Sequence, residues 1–367
     1  FKLFCLTALL LAGIFLVVFF ADIISKGYTA FWQAQIKVEA SYTQEVKDLP
    51  FLAVGEEVSE LISRSWFREL PRKLNQHPEL LGTSQTQWVL ADGSVDQYLK
   101  GKPNGLSQEE KDLVDRLQER GRTRLSFNTY FFVNGDSNLP EASGIFSAAV
   151  GTVYVMMVTM AFSLPTGVLT AIYLEEFAPD NWFTRAIEVN INNLAAIPSI
   201  LYGLLGLAIF INYVGIPRSS ALAGGLTLGL MSLPVIIISS RAALRAVPDS
   251  IREAAFGVGA SRCQVVAHHV LPMSIPGILT GSIIALAQAM GETAPLLIVG
   301  MMAFIPDAPS GFTDAATVMP AQIYTWSSAA LRPYAERTAA AILVLLAVLI
   351  LLNLTAVLLR KRYERKW

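Results

Sequence analysis

The chain has 367 residues, 53% of them hydrophobic and 16% charged, with a formal net charge of -1 and a mean hydropathy of +0.48. That balance excludes an ordinary soluble domain and points to a polytopic membrane protein; the near-zero charge identifies no partner, and no nucleic acid is expected among them. More than half of the Asp, Glu, Lys and Arg residues crowd into residues 26–143, under a third of the chain, so that segment reads as a separate aqueous domain. The two cysteines, Cys5 and Cys263, fall in an apolar run and in a polar connector and argue for neither a disulfide nor a metal site.

Residues 3–24 are almost wholly apolar, with Lys2 before them, and exceed the roughly 20 residues that cross a bilayer. The run is longer than a signal-peptide core of about 7–15 residues and does not end on small residues, so residues 1–25 are expected to be a retained first span. Residues 26–143 carry soluble-domain signals and are expected to form an α+β insertion. Ser107 and Glu110 make a capping box, Leu113, Val114 and Leu117 share one helical face, and Gly121 stops the helix. Trp88, Val89 and Leu90, then Asp92-Gly93, then Val95 and Tyr98, predict a hairpin, with Trp66, Phe67 and Leu70 in the core. No nucleophile, metal-ligand cluster or phosphate loop is visible here, and His77, before Pro78, reads as a turn residue.

From Gly144 the chain is apolar again. Residues 144–174, with a kink expected at Pro165, form a second span, and residues 175–184 a polar loop. Residues 186–213, 221–238, 272–304 and 339–359 give four more spans, the fifth interrupted by Pro276 and Pro295. Between the last two, the stretch holding Pro309, Gly311, Pro320 and Trp326 is expected to contain a short helix. Gly225 with Gly229, and Gly277 with Gly281, have the spacing that lets helices pack closely. Six spans place both termini on one side. Lys2, Arg185, Arg241, Arg245, Arg252, Arg262 and the basic residues at 360–366 share a face, against Arg218, Arg332 and Arg337 on the other. The termini are therefore expected in the cytoplasm and residues 26–143 outside it, on the periplasmic side of a bacterial inner membrane.

The polar connector at residues 249–272 contains EAAFGVGASRCQVVAHHVLP. Ser250 and Glu253 predict a capping box and a helix from Ile251, with Ile251, Ala254, Ala255 and Val258 facing inward and Arg252, Glu253 and Phe256 outward. Gly257 and Gly259 permit a sharp turn, and Ser261 with Gln264 caps a second short helix. At these residues the chain resembles the EAA loop of importer permeases of the ATP-binding cassette class. Glu253, Ala254, Ala255, Gly259, Leu271 and Pro272 fall in register, and His269 stands where that family usually has Ile. The resemblance implies a knob that docks on an ATPase subunit, with Arg252, Glu253, Ala254, Ala255, Phe256 and Gly259 as the coupling set.

One ionisable residue remains deep in a predicted span, Glu292 in GETAPL, where a charge is costly and usually functional. It can pair with an arginine of a partner subunit, accept a hydrogen bond from a protonated substrate, or fix helix packing. GETAPL, GTVYV from Gly151, PTGVLTAIYLEE at residues 165–176 and IPSILYGLLG at residues 197–206 are similar to the A-type permease subunits of phosphate importers, in their long form with an extra N-terminal domain. The resemblance spans residues 144–366. It implies the type I importer permease fold of six transmembrane helices, residues 1–25 being the first and residues 144–367 the permease domain with the other five, a heterodimer with a homologous C-type permease, two copies of a cytoplasmic ATPase, a periplasmic phosphate-binding protein and a surround of membrane lipid.

No Gly-x4-Gly-Lys-[Ser/Thr] is present, so ATP and Mg are expected on the partner ATPase, and this chain is expected to have no catalytic residue, metal or bound cofactor. Candidates for the translocation path are Glu292, Thr293, Arg241, Arg245 and Asn193. Arg241 and Arg245, one helical turn apart, either line the cytoplasmic exit or anchor a helix end. Asn193, with Asn190 and Asn192, offers amide donors to a substrate or to neighbouring helices. Competing readings are the sister C-type subunit, a permease for molybdate or sulfate, and a membrane-anchored sensor. The absence of Gly-x-Ser-x-Gly and His-Glu-x-x-His weighs against an enzyme.

Overall fold

The computed structural model describes residues 1–363; the end of the basic tail, with Arg365 and Lys366, lies outside the described residues. The protein is a helical, polytopic membrane protein with one small sheet, and its chain divides into two compact units.

The first unit comprises Phe1–Phe146 with Ile323–Val344. It opens with the apolar helix α1 (Lys2–Gly27), then the strand β1 (Trp32–Ser41), helix α2 (Arg64–Gln76) and strand β2 (Ser84–Leu90). Helices α3 (Gly93–Leu99) and α4 (Gln108–Glu119), strand β3 (Thr123–Phe127) and the short α5 (Thr129–Val133) follow. The strands run antiparallel in the order β2-β1-β3. Ile36, Val38 and Ala40 alternate into a core with Leu70 and Leu74 of α2, Val95 of α3, and Val114 and Leu117 of α4; Trp66, Phe67 and Leu113 pack against it partly buried. The Ser107–Glu110 capping box forms, and Gly121 takes the left-handed φ of 65° that ends α4.

The expected hairpin at Asp92-Gly93 is replaced by α3. Asp92 accepts a 2.8 Å hydrogen bond from the Ser94 amide and so caps a helix, Val95 enters the core, and Asp96 accepts from the Ala34 amide at 2.8 Å. Asp-Gly is both a turn signal and a helix start. What separates the two is β1, which already occupies the pairing edge of β2 from more than forty residues upstream.

The last helix, Pro333–Tyr363, begins in this unit. Glu336 in its first turn lies 3.1 Å from Lys100 and 3.5 Å from Lys102 and accepts from Gln97, while Lys100 also pairs with Asp96 at 2.6 Å. Arg337, an expected loop cation, is instead buried, donating to the carbonyls of Ser143 at 2.7 Å and Glu141 at 2.9 Å. Gly27 permits α1 to reach the backbone of Ala339 and Ala340.

The second unit comprises Ser147–Gln322 and the chain from Leu345 on. Its helices are α6 (Phe146–Ile172), α7 (Trp182–Ala195), α8 (Ser199–Gly206), α9 (Ala221–Arg245), α10 (Asp249–Gly257), α11 (Arg262–Val265), α12 (Leu271–Gly291) and α13 (Ala294–Ile298). Among the described residues five helical stretches are long and apolar enough to cross a membrane: Lys2–Phe31, Phe146–Phe177, Ala221–Arg245, Arg262–Gly291 and Pro333–Thr355. The expected third span is not one helix. Trp182–Ala195 and Ser199–Tyr213 meet at 104°, because Pro198 lacks an amide hydrogen and disfavours helical backbone at Ile197; the Tyr202 hydroxyl bridges the break to the Leu194 carbonyl at 2.8 Å. The polar loop before it is also shorter than expected, since a wide turn covers Tyr173–Phe177 and Asn181 caps α7 from the Thr184 amide.

Both glycine pairs serve close packing. Gly225 and Gly229 of α9 meet Val158 and Phe162 of α6, while Gly277 and Gly281 of α12 meet Ala243 and Ser239 of α9. The short helix expected before the last span is Met319–Ser327.

Candidate functional site: the connector knob and the broken helix

The connector between α9 and α12 is a knob of α10 and α11 whose inner side is fixed by ion pairs. Pro248, with φ of -59° and ψ of 139°, sets the start of α10 at Asp249, two residues earlier than a Ser250 cap requires; Pro248 has no side-chain cap bond and the Ser250–Glu253 box does not form. The second box does: Ser261 accepts from the Gln264 amide, and the Gln264 side chain accepts from the Ser261 amide at 2.8 Å. Gly259 turns the chain between the two helices at φ of 86°.

Of the expected inward face only Ala255 is buried, with Ile251 packed beside it; Ala254 and Val258 are exposed because α10 starts earlier and rests on a short span of core. Arg252, expected to face outward, turns in. Its Nη1 donates to the Val247 carbonyl at 2.7 Å and to Asp249 at 3.2 Å, and its Nη2 donates to the Leu244 carbonyl at 3.0 Å and to Glu176 at 2.8 Å. It thus adds a donor to the Leu244 carbonyl in the last turn of α9, which also accepts from the Val247 amide, and supplies one to the Val247 carbonyl just beyond the helix. The hydrogen bond to Glu176 raises the guanidinium pKa further above its ordinary value, against the opposing effect of burial.

Glu253 and Phe256 do face outward, Phe256 half exposed, beside a 390 Å³ hollow lined by Glu176, Arg252, Phe256, Arg262, Val265 and Val266. Arg262 stacks its guanidinium 5.5 Å from the Phe177 ring. Such a surface offers an acid, an aromatic ring and a recess to a partner and holds no reactive constellation.

The residues that sequence reasoning overlooked are Glu175, Glu176 and Glu188. Glu175 lies 3.3 Å from Arg241 and 2.7 Å from Arg245, and Arg241 also pairs with Glu188 at 2.5 Å. Adjacent acids at the end of one span facing three arginines near the end of another were the available signal. These pairs leave Arg241 and Arg245 little uncompensated charge for an anion.

Glu292 lies in a break rather than inside a helix. It ends α12 with extended backbone, φ of -77° and ψ of 130°, because Pro295 cannot continue the α12 hydrogen-bond ladder. Its carboxylate is half-buried and has no hydrogen-bond or ion-pair partner among the described residues. Thr293, also half-buried, starts α13 by accepting from the Leu297 amide at 3.0 Å. The α13 turn packs on α8, where Gly203 lets Pro295 and Ile298 approach. Asn193 sits exposed near the 104° bend, and its carbonyl accepts from the Ala196 amide. The structure therefore gathers the expected coupling residues on one knob, but Arg241 and Arg245 belong with that knob and not with Glu292 and Thr293.

A domain family of unknown function matches residues 1–50 and 53–109. The chain is 34% identical over 177 residues to a probable ABC transporter permease, YqgI, of Bacillus subtilis, covering 48% of this chain and 59% of that protein. It is 35% identical over 162 residues to the phosphate transport system permease PstA 1 of Mycobacterium tuberculosis, covering 44% of this chain and 52% of the relative. With the probable phosphate permease PstA of Methanocaldococcus jannaschii it shares 32% identity over 211 residues, 57% of this chain and 69% of that one. The chain thus spans little more than half the length of the first two relatives. The model of the binding-protein-dependent transport system inner membrane component matches residues 163–367, more than half of the sequence and all of the knob and the broken helix, and the chain belongs to that family.

Proposed function

We propose that this chain is the membrane-spanning permease subunit of an ATP-driven inorganic phosphate importer, sharing its pore with a homologous C-type permease. The observation that carries the reading is the knob itself: a rigidly held inner side, through Arg252 and Glu176, and an exposed outer side, through Glu253 and Phe256, on a chain without a nucleotide-binding loop. A cytoplasmic ATPase, two copies per complex, would seat this knob and hold the ATP and Mg. The phosphate assignment is supported by relatives that are phosphate transport permeases.

In this reading the inner-membrane chain has cytoplasmic termini and carries residues 26–143 on the periplasmic side, where a phosphate-binding protein delivers the anion. Glu292, without a partner among the described residues, meets an arginine of the partner permease. ATPase closure pushes on α10, and α12, about 30 Å long at 1.5 Å per residue, carries the displacement to the Glu292 break. The deciding experiment is ATP-dependent uptake by the reconstituted complex with labelled phosphate, competed by molybdate and by sulfate. Phosphate uptake resistant to both competitors is the expected result, and preferential sulfate transport would overturn the substrate.

A further inference from the structure

The inner face of the small sheet is covered at one end and bare at the other. Ile36, Val38 and Ala40 are in the core, but Trp32 at the start of β1 is 49% exposed. Across from Trp32 and Ala34, Phe127 and Leu125 of β3 are 55% and 47% exposed, on the same face of the sheet as their partners. Helix α5 continues this apolar surface with Tyr130, Phe132 and Val133, the last 68% exposed. The rings are ordered among themselves: Phe127 stacks on Phe132 at 5.7 Å, Phe132 on Phe31 at 5.9 Å, and Trp32 meets Phe127 edge-on at 6.5 Å. The opposite edge strand begins Ser-Gln-Thr-Gln and is polar.

The bare end is the end nearest α1. A single turn, Tyr28–Phe31, separates Trp32 from α1, and β1 then climbs away at about 3.3 Å per residue toward the covered core. On the other side of the patch the amides of Ile145 and Phe146, where α6 begins, donate to the carbonyls of Phe131 at 2.8 Å and Asn134 at 2.9 Å. The exposed apolar rings therefore adjoin the end of α1, whose apolar surface is unburied.

We propose that Trp32, Leu125, Phe127, Tyr130, Phe132 and Val133 are immersed in lipid, at the boundary between headgroups and acyl chains where α1 leaves the bilayer. Tryptophan and tyrosine are favoured there, because their rings are apolar and their N–H or O–H groups reach water. Lipid also shields the free edge of β3, which in water would be a template for strand pairing between molecules. The membrane-proximal face of the domain is thereby held at a fixed height on the bilayer.

The test uses full-length chain with Cys5→Ser and Cys263→Ser, reconstituted in phosphatidylethanolamine–phosphatidylglycerol vesicles and carrying a nitroxide at Leu125→Cys, Val133→Cys or, as a control on the polar edge, Gln85→Cys. Power-saturation EPR compares collision with oxygen, which concentrates in lipid, and with a water-soluble nickel chelate. At positions 125 and 133 oxygen should dominate, and at position 85 nickel. Val133 is the most open of these side chains and tolerates the label even where the strand does not. Nickel access at position 133 would place the patch in water, and exclusion of both agents would place it under protein; either result overturns the proposal.

Discussion

Arg252 and Glu253 are adjacent, and the structure gives them opposite duties. Arg252 neutralises Glu176, whose side chain is only 9% exposed, and answers two backbone carbonyls, so Arg252→Ala takes a donor from Glu176 and from the Val247 carbonyl, while the Leu244 carbonyl keeps the Val247 amide. Each unsatisfied group of this kind costs about 1–3 kcal/mol, reduced here by the partial access of water. The variant should unfold at lower temperature in detergent, and its uptake loss should follow from its instability. Glu253 is exposed and has no partner among the described residues, so Glu253→Ala should leave the melting temperature unchanged while abolishing uptake and copurification of the ATPase. Equal melting shifts for the two variants would remove the distinction. Glu141 supplies a pH test. Burial raises its pKa, partly opposed by the 2.6 Å hydrogen bond from Ser63. Folding then favours the protonated carboxyl: its contribution is complete below the ordinary carboxylate pKa and is lost as pH rises through the raised value. Glu141→Gln keeps an acceptor for Ser63 and cannot ionise, so thermal melts from mildly acidic to neutral pH should lose that slope, with the variant relatively more stable at neutral pH.

Among elements, the last helix is held by charges that neither hydropathy nor periodicity displays. Glu336, 4% exposed, sits in its first turn, where an acid also meets the positive end of the helix dipole, and it balances Lys100, itself 4% exposed. Glu336→Ala leaves Lys100 with Asp96 alone, which should cost less than the ~3–5 kcal/mol of a fully orphaned buried charge. Amide hydrogen exchange should speed up across residues 93–102 and leave α9 unchanged. The spans were legible because an apolar run of about 20 residues has few other uses, and two of three expected capping boxes formed because Ser and its Glu or Gln partner lie within one turn. The third failed to a proline two residues upstream that fixes the helix start. The 104° bend was hidden because Ile197 to Leu201 is apolar on both sides of Pro198, so hydropathy registers one run where the backbone makes two helices. Glu336 with Lys100, and Glu175 with Arg241, are more than sixty residues apart in sequence, and no local pattern pairs them.

At the scale of the whole molecule, the family match covers the knob, the broken third span and the break at Glu292. Helix α12 joins knob to break without interruption and is clamped on α9 where Gly277 and Gly281 admit Ala243 and Ser239. Motion passes along it only where a two-state element is biased from both ends. Glu292 tests this, because its carboxylate has no partner among the described residues and can be replaced by an amide at nearly constant shape. Glu292→Gln should therefore insert, melt and bind the ATPase as the parent does, and hydrolyse ATP in the complex, while phosphate uptake falls at least tenfold, a deficit of about 1.4 kcal/mol in the transport barrier. Its counterpart is Gly281→Val, in which the added carbons strike Ser239 and force α12 from α9. That variant should lose uptake with the knob intact and regain it in part with Ser239→Gly, which reopens the contact. Rescue of Gly281→Val together with failure of Glu292→Gln would identify α12 as the moving part, whereas full uptake by Glu292→Gln would reduce the break to a packing feature.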